Sequence, residues 1–137
     1  AKHSLKLEVT EGQLMAGAAH AEAALKRLKG LGIGLSIDDF GTGHSSLGRL
    51  AKFPFDTVKI DRSFLAASSH RSGAKILAAM IALSRELNMS AVCEGVETAQ
   101  GAARLKEMGC EFGQGYLLGG PGPKQRVRYA TYLAGVK

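Results

Sequence analysis

The 137-residue chain has no tryptophan and two cysteines, and aromatic residues make up only 6% of it. With so few aromatics and with its lysines and arginines scattered, it offers no aromatic-interleaved platform for single-stranded nucleic acid. DNA and RNA are not expected partners. Cys93 and Cys110 fall in different elements and form no C-x-x-C spacing. That excludes the usual zinc spacing and fits reduced core thiols of a cytoplasmic protein rather than a disulfide. No apolar run approaches the roughly 20 residues of a membrane span, and the basic, alanine-rich start lacks the compact core of a signal peptide. The expected location is the cytoplasm, with no membrane segment in this stretch. His3, His20, His44 and His70 share no ligand-like spacing and read as structural or exposed.

What is present is the composition of a soluble globular domain, 45% apolar and 22% charged. The length suits one unit over residues 1–137. The net charge of +6 favours anionic partners.

Short apolar strands alternate with helical patterns. Leu5 to Val9 alternates as a strand, and residues 14–29 follow as an Ala/Leu-rich helix stopped by Gly30 and Gly32. Residues 34–38 form a second strand, and a glycine-rich turn leads to a short helix near Ser45 and Ser46. Residues 57–60 are a third strand, 72–88 a long amphipathic helix, 91–93 a fourth strand and 98–108 another helix. Residues 111–118 read as a fifth strand, and the tail from Lys124 as a last helix. The fold class is α/β with parallel strands, because the crossovers are long enough for them. Two architectures remain open: a five-stranded doubly wound sheet, or part of a (β/α)8 barrel.

Polar groups recur at the strand ends. Glu8 lies on the first strand with Glu11 just past it, and Asp38-Asp39 closes the second. Lys59 lies in the third, Glu94 ends the fourth, and Gln114 sits in the fifth. Parallel strands bring their C-terminal ends to one edge, so these groups converge. Crowded carboxylates need a cation, and an all-oxygen set suits Mg²⁺ or Mn²⁺ better than zinc. Paired metals about 3.5–4 Å apart serve in-line attack on a phosphodiester. Each residue also has a plainer reading. Asp39 suits a turn, Lys59 a surface ion pair with Asp61, Glu97 a helix cap, and Glu11 a solvated acid at a helix start. A phosphoacceptor receiver also pairs aspartates with a lysine, but on a different arrangement of strands.

The motifs resemble those of EAL domains. Leu7-Glu8-Val9-Thr10-Glu11 is similar to the family's ExTE strand, and Asp38 to Leu47 to its DDFGTGxSSL loop. Val58 to Asp61 resembles its KID strand, Glu94 to Glu97 its EGVE segment, and Gly113 to Tyr116 its GQGY segment. The resemblance implies a modified (β/α)8 barrel that hydrolyses cyclic di-GMP to the linear dinucleotide pGpG in bacterial second-messenger signalling. It assigns Glu8, Asp38, Asp39 and Glu94 as metal ligands for Mg²⁺ or Mn²⁺, with Asp38 bridging. Lys59, Glu94 and Gln114 become the catalytic groups, Lys59 holding the attacking water and Gln114 the metal-water network. Glu11 becomes the tether of the loop after Asp39.

By the same resemblance, the chain is the C-terminal portion of the domain, lacking about three N-terminal strands. The E-A-L glutamate, the arginine after it and a metal-binding asparagine lie upstream in the family. His44 stands where tyrosine is commoner, and residues 119–123 depart from the family's usual loop. Expected partners are cyclic di-GMP, a second copy or the missing N-terminal half, and upstream sensor or diguanylate cyclase domains. The alternative to an enzyme is an inactive EAL-derived receptor or interaction module.

Overall fold

The computed structural model describes residues 5–42, 47–115 and 131–132. Its elements run β1 (Lys6–Thr10), α1 (Glu11–Ala16), α2 (Ala18–Gly30), β2 (Gly34–Phe40), α3 (Leu47–Lys52) and β3 (Thr57–Ile60). They continue with α4 (Arg62–Ala67), α5 (Arg71–Glu86), β4 (Ser90–Glu94), α6 (Ala99–Glu107), β5 (Phe112–Gln114) and β6 (Thr131–Tyr132). The expected helix over 14–29 is two helices. The Thr10 hydroxyl and the Gln13 side chain close a capping box that starts α1 early, and Gly17 separates it from α2. A second unforeseen helix, α4, follows β3 because the Asp61 carboxylate accepts the Ser63 N–H and caps it.

The strands lie in the order β1-β2-β3-β4-β5-β6, and the first five pair parallel. This order decides between the two architectures. Right-handed crossovers that always step the same way leave every helix on one face of the sheet. A doubly wound sheet reverses direction partway and covers both faces. The sequential order is that of a barrel wall.

One expectation needs correction. At Thr131–Tyr132 the chain is not helical; it pairs antiparallel with β5, with Phe112 opposite Tyr132. Threonine and tyrosine favour extended backbone over helix. The rest of the expected last helix, and residues 116–118 of the expected fifth strand, lie outside the described residues.

Strand alternation sorts side chains between the faces. Leu35 and Ile37, Val58 and Ile60, and Ala91 and Cys93 join Leu25, Leu77, Ile81 and Leu105 of the helices in one apolar core. Val92, of opposite parity, is buried but outside that core. It shares its face with Ser36, Asp38, Thr57, Lys59 and Glu94. The helix side therefore holds the fold together, and the other side carries polar chemistry. Both cysteines are buried free thiols, and burial pushes the Cys110 thiol up to about 11. Among the described residues, strand β1 has a neighbour on one side only, and Leu5 and Leu7 are 63% and 41% exposed.

Candidate active site

Neighbouring residues on a regular strand point to opposite faces, so Asp38 and Asp39 cannot both face the polar side of a regular β2. The strand solves this with a bulge. Ile37 pairs with Val58 and Phe40 with Ile60, so one extra residue is accommodated on β2. Asp39 takes the left-handed conformation at φ 56°, and its N–H donates to Asp38 Oδ1 at 2.9 Å. Both carboxylates thereby join Glu94 at the end of β4. One oxygen from each of the three lies within 4.8 Å of the others.

The trio is poorly neutralised by itself. Burial, and then the neighbouring Asp38 carboxylate, push Glu94 above its ordinary value. Burial and the charges of Asp38 and Asp61 do the same to Asp39. Oxygen-only donors held close and shifted toward protonation fit a hard divalent cation. On that donor set, Asp38, Asp39 and Glu94 are the residues that would hold one.

Lys59 supplies the only cation within this group among the described residues. Its side chain is 3% exposed, and Nζ lies 2.8 Å from Glu8 Oε1 and 3.5 Å from Glu94 Oε1. Burial opposes its charge, but Glu8, Asp38 and Glu94 outweigh that and hold the ammonium above its ordinary value. Lys59 is a charged donor at neutral pH, unable to accept a proton. The plainer reading of a surface pair with Asp61 does not hold: Asp61 caps α4, and Ser63 lowers its pKa.

The loop after Asp39 is held from several sides. The Gly41 N–H donates to Glu11 Oε2 at 3.2 Å, and Glu11 is buried. The Thr42 hydroxyl donates to the Asp39 carbonyl at 2.6 Å. Gly41 sits at φ 92°, and a Cβ there would fall 2.7 Å from Phe64 Cζ and 2.8 Å from Met80 Cε. The loops after β4 and β5 are also joined, by the Val96 N–H on the Gln114 carbonyl at 2.9 Å. A Cβ on Gly115 would meet the Val96 carbonyl oxygen at 2.2 Å.

Of the residues chosen from sequence, Asp38, Asp39 and Glu94 come together, and Lys59 touches Glu94. Glu8 lies outside the trio, with its carboxylate on Lys59. Gln114 is Glu94's register partner on β5. Glu11 stands on the Gly41 amide. Phe64 and Met80 carry no site signal of their own in the sequence; the glycine after Asp-Asp-Phe is the one hint that something approaches closely there.

A barrel-wall sheet with an acidic, lysine-bridged cluster at its strand ends defines a (β/α)-barrel domain. The profile of the EAL domain matches residues 1–121, and the chain belongs to the EAL domain family. It is 47% identical over 120 residues to the cyclic di-GMP phosphodiesterase NbdA of Pseudomonas aeruginosa, covering 87% of this chain and 15% of NbdA. To the bifunctional diguanylate cyclase/cyclic di-GMP phosphodiesterase MucR of the same organism it is 44% identical over 132 residues, 92% of this chain and 19% of MucR. The solved PaMucR phosphodiesterase in its c-di-GMP complex superposes with TM-score 0.82 at 46% identity, over 88% of this chain and 49% of that one. The chain thus spans about half of that solved structure and under a fifth of these two curated relatives.

Proposed function

We propose that residues 1–137 are the C-terminal portion of an EAL domain that hydrolyses cyclic di-GMP to pGpG with Mg²⁺ or Mn²⁺. The observation that carries this is the convergence of Asp38, Asp39 and Glu94, with oxygens within 4.8 Å, beside the buried ammonium of Lys59. A bound divalent ion supplies an acidified water and charge neutralisation at the phosphate. Asp38, Asp39 and Glu94 would hold such an ion, and Glu8, which lies on Lys59 here, would be a further oxygen ligand from β1. The Lys59 ammonium donates a hydrogen bond to the attacking water or a phosphoryl oxygen. The Gln114 amide orients the water network beside Glu94. Water adds to phosphorus as the P–O3′ bond breaks, and the water's second proton ends on the leaving O3′. Because Lys59 is charged, the carboxylates are the groups able to relay that proton.

The domain works in the cytoplasm, paired along β1 with the remaining barrel half or a second copy, and downstream of sensor or diguanylate cyclase domains. MucR's bifunctional name supports the cyclase partner. Following cyclic di-GMP conversion with Mn²⁺, for this chain with and without an EAL N-terminal half, tests the proposal. Metal-dependent pGpG formation supports it; none in either form contradicts it.

A second reading, a receptor that binds cyclic di-GMP without turnover, is favoured by one observation. Glu8 is engaged by Lys59 at 2.8 Å instead of joining the trio. Calorimetry with cyclic di-GMP in Ca²⁺, then in Mg²⁺, separates the two: the receptor binds in both and yields no product in either.

A further inference from the structure

We propose that Phe64 of α4 and Met80 of α5 are positioning residues that keep β2 in its bulged form. The inference rests on the metal-site reading given under Proposed function. The Asp38-Asp39 segment has two competing conformations. In a regular strand the two carboxylates diverge to opposite faces; only the bulge, with Asp39 at φ 56°, brings both to Glu94. A left-handed non-glycine residue is strained and persists only where its surroundings over-determine it.

Three restraints oppose relaxation. Glu11 accepts the Gly41 N–H from the α1 side. Thr42 folds back on the Asp39 carbonyl through both its N–H and its hydroxyl, at 3.2 and 2.6 Å. From the helix side, the Phe64 ring and the Met80 methyl press on Gly41 so closely that a Cβ would lie 2.7 and 2.8 Å from them. Glu11 and Thr42 act through hydrogen bonds, which survive small shifts of the loop. The Phe64 ring is the stiff wedge, having two side-chain torsions and packing against the core. It blocks the space into which Gly41 would move if β2 straightened. The α4–α5 pair thus reaches the metal site without touching substrate or ion.

The test uses two readouts on the 137-residue chain with the variants Phe64→Ala, Phe64→Leu, Met80→Ala and, as a core control away from the loop, Leu77→Val. Hydrogen exchange of the 39–42 amides reports the bulge without any metal. Mn²⁺ affinity, by calorimetry, reports its consequence. Phe64→Ala is expected to speed exchange at Gly41 and weaken Mn²⁺ by about 10-fold or more, the range for residues that orient metal ligands. Met80→Ala follows in the same direction, and Phe64→Leu recovers most of the loss. Leu77→Val lowers Tm but moves neither readout. Unchanged 39–42 exchange in Phe64→Ala, or an equal change in Leu77→Val, overturns the inference. If the parent chain binds no Mn²⁺, the metal-site reading fails instead, while the exchange data still decide the role of Phe64.

Discussion

Lys59 and Glu8 stand 51 positions apart, yet their side chains meet at 2.8 Å, joining β3 to β1 across the intervening β2. With Asp38 of β2 also acting on the Lys59 charge, the pair ties three strands into one electrostatic unit. Lys59 is therefore both the counter-charge of the carboxylate group and, in the proposed reaction, a hydrogen-bond donor.

Replacing Lys59 with Met tests that double role. The substitution keeps volume and removes the charge, leaving Glu8, Asp38 and Glu94 without their cation. Turnover in the completed domain is expected to fall by roughly 10²–10³, as for loss of an electrostatic donor. Steady-state rates at saturating Mn²⁺ check it, with kcat falling more than KM rises.

The raised pKa values of Asp39 and Glu94 set a pH dependence. A carboxyl whose folded value lies above its unfolded value holds its proton more tightly when folded. Its contribution to stability is therefore present in acid and lost as pH rises from the ordinary carboxylate range through the raised value. The metal-free chain is expected to lose this contribution on approach to neutrality, and Mn²⁺ to restore stability there. Melting curves from pH 4 upward, with and without Mn²⁺, measure both effects. An ion-induced rise in Tm that is as large in acid as at neutrality contradicts the assignment.

Asp39→Asn removes one of the repelling charges. The metal-free variant is expected to melt slightly above the parent at neutral pH, with the difference closing toward acid. Its Mn²⁺-induced rise in Tm disappears, and hydrolysis in the completed domain is abolished. Thermal melting with a parallel rate assay checks all three.

Gly41→Ala strikes the loop directly. At φ 92° an L side chain is strained, and the new methyl meets Phe64 and Met80. A loss of about 1–3 kcal/mol is expected from strain of this kind, measured by urea unfolding.

Strand β1 makes an association prediction. The edge of β1 that has no strand partner among the described residues, with Leu5 and Leu7 exposed, invites strand addition. The isolated chain is expected to oligomerise in sedimentation, and Leu7→Lys to shift it toward monomer. A monodisperse parent monomer contradicts this.

The alternation of strand and helix was legible because period-2 and period-3.6 apolar patterns follow directly from which face is buried. Periodicity alone left a barrel and a doubly wound sheet both open, since strand order is a property of long-range pairing. The motif resemblance implied the barrel, and the pairing of β1 to β5 in sequence order agrees with it. The candidate site was legible as residue types at strand ends. The means by which Asp38 and Asp39 face one way was hidden, because a bulge depends on the register against β3. The extra helix α4 was missed although Asp61 and Ser63 carry a cap signal, because the Lys59-Ile60-Asp61 run draws attention to charge pairing instead. The split of the first helix at Gly17 was obscured by the alanine-rich run around it.

The most direct test of the central claim is the metal dependence of cyclic di-GMP cleavage by this segment completed with an EAL N-terminal half. The account predicts pGpG formation that needs Mg²⁺ or Mn²⁺ and vanishes in Asp39→Asn. Cleavage that persists in Asp39→Asn, or that proceeds equally in excess chelator, contradicts it.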